Sequence, residues 1–136
     1  MNHYTILMMG YNSRQWIENS VLSATNQDHD NFDVIAIDAQ TTDGTYEYFE
    51  SRGYTVYRQE NQECSLNAWW QGFDLASGDV IIPFSPDGNS IPEVIPELIN
   101  KINEGYDMVI ASRYKDNAYS ADDTWLTGFG NMFFTK

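Results

Sequence analysis

Short apolar runs alternate along this chain with longer segments in which apolar residues return every three or four positions. The first run, over 4–9, reads as a buried strand and ends in Gly10-Tyr11-Asn12. Ser13 then stands where a helix N-cap belongs, ahead of Trp16, Ile17, Val21 and Ala24 on one helical face. A second strand is expected over 33–38, with 34–37 as its apolar centre, followed by a turn-rich loop over 39–45 with polar groups at its tip. A helix over about 45–51 leads through Arg52-Gly53 into a third strand over 54–57. Residues 65–76 then place Leu66, Trp69, Trp70 and Phe73 at i, i+3, i+4 and i+7, a periodicity that favours packing of Trp69-Trp70 in the core over stacking on a sugar.

A fourth strand over 80–84 runs into Ser85-Pro86-Asp87-Gly88-Asn89-Ser90, and Pro92 opens a helix with Val94, Ile95, Leu98, Ile99 and Ile102 as its stripe. Gly105 ends that helix, a fifth strand is expected over 108–111, and 125–134 reads as a further helix. This βαβαβαβαβ order requires right-handed crossovers. It predicts an α/β protein with a doubly wound, mostly parallel sheet and helices on both faces. Ligands of such sheets bind outside the carboxyl ends of the strands, which draws attention to Asp38 and Asp87. Each has a local alternative: Asp87, before Gly88, suits a turn stabilised through its own side chain, and Asp38 suits a structural role at its strand end.

Composition narrows the function. The 136 residues suit one domain, and 42% hydrophobic with 20% charged residues is ordinary for a folded chain. A formal charge of -13 with only 7 Lys and Arg excludes a duplex nucleic-acid binder, which needs a basic footprint. An acidic protein that handles a nucleotide diphosphate is expected to recruit a divalent cation to offset the phosphate charge. The single cysteine, Cys64, excludes an internal disulfide and reads as a packed or idle thiol. His3 and His29 lack partners at metal-ligand spacing and read as exposed, while Asp122-Asp123 reads as a helix start. No apolar run approaches the ~20 residues that span a bilayer, so a cytoplasmic protein is expected.

Four blocks, in order, carry a family resemblance. Residues 5–12 resemble the opening strand and Tyr-Asn of the inverting GT-A glycosyltransferases of family 2, which share the nucleotide-diphospho-sugar transferase fold. Ile37-Asp38-Ala39-Gln40-Thr41-Thr42-Asp43-Gly44-Thr45 resembles that family's nucleotide loop, 67–79 its following helix, and 84–87 the place of its Asp-x-Asp motif. Residues 91–98, 106–114 and 122–131 are similar to dolichyl-phosphate mannose synthases and related polyprenyl-phosphate glycosyltransferases.

The resemblance implies a nucleotide-diphospho-sugar donor, a polyprenyl-phosphate acceptor, and inversion at the anomeric carbon. It assigns Gly10, Tyr11, Asn12 and Asp38 to the nucleoside, Asp87 and Asn89 to Mg²⁺ or Mn²⁺, and Arg113 to the acceptor phosphate. No catalytic base is identified, and an ionised phosphate acceptor has no need of one. With such an acceptor, the cytoplasmic face of a membrane becomes the expected place of action. The chain is expected to be a single GT-A-like domain over 1–136, lacking the family's C-terminal acceptor part, and its apolar end suits packing in a dimer or against a further segment.

Three departures stand against these matches. Ser85 replaces the first aspartate of the metal motif, Ala39 replaces the second acid of the nucleotide loop, and Gln62-Glu63 replaces a basic residue before the following helix. They keep open an alternative, a catalytically degenerate binding or scaffold protein on the same fold. A nucleotidyltransferase is disfavoured, because no Gly-rich basic phosphate loop follows the first strand.

Overall fold

The computed structural model describes residues 2–27, 31–88 and 90–112. Four strands form a wholly parallel sheet: β1 (Tyr4–Gly10), β2 (Phe32–Asp38), β3 (Thr55–Arg58) and β4 (Val80–Phe84), in the order β3-β2-β1-β4. Helices α1 (Arg14–Thr25), α2 (Thr45–Ser51) and α3 (Ser65–Leu75) supply the crossovers. The chain lays β1, β2 and β3 in one direction and then returns to place β4 on the other side of β1. The order therefore reverses between β1 and β4, and loops leaving those two strands diverge there.

β1 is central and reads as a near-continuous apolar run because both of its faces are covered. On one face Leu7 joins Ile35, Ile37 and the α3 residue Ala68 in a buried cluster, flanked by Met9, Trp69 and Ile81. The alternate positions Tyr4, Ile6 and Met8 are also buried, on the face toward which Ile17, Val21 and Ala24 of α1 and Phe49 of α2 turn. Each such large side chain contributes about 1.5–3 kcal/mol relative to exposure. Phe49 is further fixed by edge contacts with Tyr48 and Tyr54, at 6.1 and 6.2 Å between ring centres.

Two expected apolar stripes are corrected. In α1 the buried residues are Ile17, Ser20, Val21 and Ala24, while Trp16 stays 46% exposed at the rim of the stripe. In α3 Trp69 packs half-buried against the core as expected, but the rest of the face is turned outward: Leu66 and Trp70 are 62% and 65% exposed, and Phe73 is also exposed. The buried residues are Ala68 and Gly72. The reason is space, since a Cβ placed on Gly72 would lie 2.6 Å from Leu7 Cδ1. The sheet already fills the interface with Leu7, Ile35 and Ile37, and only small residues let the helix approach it.

Residues 1–95 form one compact unit, and a second begins at Pro96. A 3₁₀ turn over Pro92–Val94 precedes α4 (Ile95–Asn103), which keeps the expected stripe, with Ile95 and Ile99 buried. Gly105 follows in the left-handed region at φ +101° and ends the helix. The expected fifth strand over 108–111 is absent among the described residues: 106–112 carry no strand, and Met108 and Ile110 are exposed. An extended segment gains a strand's stability only from a ladder partner, and this one has none there. The expected helix over 125–134, His29 and the Asp122-Asp123 pair lie outside the described residues. No helix among the described residues is long and apolar enough to cross a membrane.

Candidate active site

The carboxyl ends of β1, β2 and β4 converge on Gly10. In register, Gly10 pairs with Asp38 of β2, and two positions earlier Met8 pairs with Phe84 of β4. A Cβ at Gly10 would lie 3.5 Å from Pro86, 3.6 Å from the Ser13 hydroxyl and 3.6 Å from the Thr45 methyl. Three loops, after β1, β2 and β4, thus close around one glycine. Tyr11 follows it with its ring largely exposed, and Asn12 adopts a left-handed φ of +49°.

Asp38 ends β2 in the interior, at 1% exposure. Its Oδ1 accepts the Thr41 hydroxyl at 2.6 Å; its Oδ2 accepts the Thr41 backbone N–H at 3.1 Å and Arg58 Nη1. The same Arg58 nitrogen donates to the Thr41 carbonyl at 3.2 Å, and the guanidinium lies 3.9 Å over the Tyr46 ring. A buried carboxylate needs such partners, because an unpaired charge away from water is expensive. The arrangement folds the 39–44 loop back on the end of β3. Asp38 therefore shapes the 39–44 loop from within and does not face solvent.

Asp43 performs a second task. Its Oδ2 accepts the Arg14 backbone N–H at 2.9 Å, and its Oδ1 accepts the Thr45 N–H at 3.0 Å and the Thr45 hydroxyl at 2.6 Å. One carboxylate thus satisfies the first N–H groups of both α1 and α2, where the helix dipoles favour negative charge. Burial pushes its pKa up, but the bonds from the Thr45 hydroxyl and the Arg14 and Thr45 amides outweigh that and hold it below the usual carboxylate value. The Thr45 oxygen in turn accepts the Ser13 N–H at 3.2 Å. Ser13 does occupy the N-cap position of α1, yet its hydroxyl bonds to the Tyr11 carbonyl, so the capping comes from the β2–α2 loop.

The turn after β4 is clamped to α1. Pro86 is fully buried, and its carbonyl accepts the Ser20 hydroxyl at 3.1 Å. Gly88, at φ +83°, lies over the Trp16 indole, where an added Cβ would come within 3.4 Å. The Ser85 N–H donates to the Ser90 hydroxyl at 2.9 Å. Between these anchors Asp87 is exposed, at the strand end where the metal motif is expected. No group of three or more His, Cys, Asp or Glu residues gathers among the described residues. Among the described residues the turn offers one hard carboxylate, which fits a divalent ion whose remaining ligands are water or phosphate oxygens. Asn89 and Arg113 lie outside the described residues.

Of the expected site residues, Gly10, Tyr11, Asn12, Asp38 and Asp87 share this edge. Arg58, Thr41, Asp43 and Thr45 were not singled out by sequence. The strand register held the missing signal for Arg58, because Asp38 and Arg58 are direct β2–β3 partners. His3, expected to be exposed, is half-buried at the opposite end of the sheet, its Nε2 3.9 Å from Asp33. Cys64 is an exposed free thiol at the N-cap of α3.

Comparison with known proteins places this geometry. The model of glycosyl transferase family 2 matches residues 5–136. A dolichol-phosphate mannosyltransferase of Pyrococcus furiosus is 32% identical over 115 residues, covering 81% of this chain and 33% of that protein. An undecaprenyl-phosphate 4-deoxy-4-formamido-L-arabinose transferase of Aeromonas hydrophila is 32% identical over 125 residues, covering 85% and 36%. The fold matches glucosyl-3-phosphoglycerate synthase of Mycobacterium tuberculosis, solved with Mn²⁺, UDP and glucosyl-3-phosphoglycerate. The TM-score is 0.63 at 21% identity, covering 74% of this chain and 39% of that one. The chain spans about a third of the length of these two curated relatives.

Proposed function

Because the chain belongs to glycosyl transferase family 2, we propose that it takes part in transferring a sugar from a nucleotide-diphosphate donor to an acceptor, polyprenyl phosphate, with inversion at the anomeric carbon. The observation that carries this reading is the convergence of the Gly10–Asn12 loop, the Asp38-centred loop and the Asp87 turn at the sheet's switch point. The two relatives named for polyprenyl-phosphate chemistry support the acceptor.

In this reading Gly10, Tyr11 and Asn12 line the nucleoside pocket, with the exposed Tyr11 ring offering a face on which a base stacks. Asp38 acts through Arg58 and Thr41 to hold the 39–44 loop in shape. Asp87, joined in sequence by Asn89, would hold Mg²⁺ or Mn²⁺, which supplies positive charge against the donor diphosphate. Arg113 grips the acceptor phosphate through a bidentate guanidinium. An ionised phosphate oxygen attacks without a protein base. We take residues 1–136 as the donor-binding part of the molecule, acting at the cytoplasmic face of the membrane that holds such an acceptor.

A second reading, a degenerate binding or scaffold protein, is favoured by Ser85, Ala39 and the lack of an acidic cluster among the described residues. Thermal unfolding with UDP, GDP, CDP or dTDP, with and without Mn²⁺, separates the two. A ligand selective for the folded state adds about 2.7 kcal/mol of stability at a hundredfold excess over its dissociation constant and so raises the midpoint. The transferase reading expects a Mn²⁺-dependent rise for one nucleotide that is lost in Asp87→Ala. No rise for any nucleotide at millimolar concentration supports the scaffold.

A further inference from the structure

We propose that the groove on the outer face of α3 is a subsite for a neutral pyranose, which stacks on Trp70 and hydrogen-bonds to Asn67, Asp74 and Glu60. The groove is open to solvent along its length, offers about 390 Å³ and is lined by Glu60, Asn61, Asn67, Trp70, Gln71, Asp74 and Leu75. That volume falls within the roughly 300–1,000 Å³ of small-molecule sites. It is a different surface from the Gly10 convergence, and none of the residues assigned to donor, metal or acceptor lines it.

The groove is built and held open. Asn67, Trp70, Gln71 and Asp74 follow at i, i+3, i+4 and i+7 and so share one face of α3. Trp70 is kept at the rim by the edge of Phe73, 5.9 Å away at 85°, and Phe73 is backed by Trp69 at 6.0 Å. The opposite wall is fixed by amides. Gln71 accepts the Glu60 N–H at 3.0 Å and donates to the Arg58 carbonyl at 2.9 Å. Buried Gln59 donates to the carbonyls of Asn61 and Cys64. With Gln71 consumed in this way, the Asn67 amide and the Glu60 and Asp74 carboxylates are left without side-chain partners among the described residues.

This set has the chemistry of sugar recognition. The negative face of an indole attracts the weakly positive axial C–H groups of a pyranose ring, and carboxylate and amide groups at its margins accept from vicinal hydroxyls. Two carboxylates repel phosphates and uronates, which selects a neutral sugar. An exposed Trp beside carboxylates also attracts organic cations, so the test includes one.

The experiment is a titration of the ¹⁵N-labelled protein, followed at the Trp indole N–H signals, with the Trp70 signal assigned by its loss in Trp70→Phe. Mannotriose, chitotriose and cellotriose are the probes, and tetramethylammonium chloride is the competing cation. At least one sugar is expected to shift the Trp70 signal saturably, with an affinity on the order of 1 mM. Asp74→Asn should weaken that binding by on the order of tenfold. The proposal is overturned if no sugar shifts Trp70 saturably, or if tetramethylammonium does so while the sugars do not. Unchanged spectral dispersion in both variants shows that they fold. Nucleotide stabilisation should persist in Trp70→Phe, so failure of this groove and failure of the donor site are read separately.

Discussion

At the scale of single residues, two aspartates on one loop do different work. Asp38 is buried and tied to Arg58 and Thr41, whereas Asp43 is exposed and caps two helices that begin 31 residues apart, at Arg14 and Thr45. The Asp43 pKa is lowered in the folded state, so the stability it contributes is fully present above its unfolded value. That stability is lost as pH falls through the lower folded value. Asp43→Ala should therefore cost about 1 kcal/mol at neutral pH, as loss of a helix cap does. Its deficit against wild type should begin to shrink as pH falls below about 4, the ordinary carboxylate value, and go on shrinking as pH falls through the lower folded one. Urea unfolding of both proteins at neutral and acid pH checks this, and a deficit that grows in acid would contradict it. The polar tip of this loop was legible as a turn. Its capping of α1 was not, because Arg14 and Asp43 meet only after β1 and β2 pair.

At the scale of elements, most strands and helices were legible because each carries its own period. β1, β2, α2 and β4 lie within a residue of their expected positions, and β3 is displaced by one. The facing of α3 was not legible. Its largest apolar residues follow a helical stripe, yet the helix turns Ala68 and Gly72 to the sheet, since Leu7 leaves room for nothing larger at Gly72. Gly72→Ala is expected to destabilise the protein by about 1–3 kcal/mol through overpacking, although alanine is the better helix former. A lowered urea midpoint with an unchanged slope would bear this out, and a raised midpoint would mean that α3 is free to move off Leu7. The expected strand over 108–111 failed for a related reason. Its apolar residues match a strand, but strand formation depends on a neighbour that periodicity does not supply.

At the scale of the whole molecule, the formal charge of -13 opposes compaction by self-repulsion. Raising NaCl from about 0.01 M to about 0.1 M shortens the screening length from roughly 30 Å to roughly 10 Å. The thermal midpoint should therefore rise with salt, and a falling midpoint would mean that specific ion pairs such as Arg58–Asp38 outweigh the general repulsion. Sequence alone determined the αβ alternation, the parallel sheet, the family and the loops that meet at the switch point, because these follow from local periodicity and from motif order along the chain. Tertiary structure decided that Asp38 is clamped by Arg58, that Asp43 caps two helices, that Asp87 rides on buried Pro86, and that Trp70 faces a groove. Burial and pairing are properties of neighbours distant in sequence, and a side chain's own chemistry does not name them.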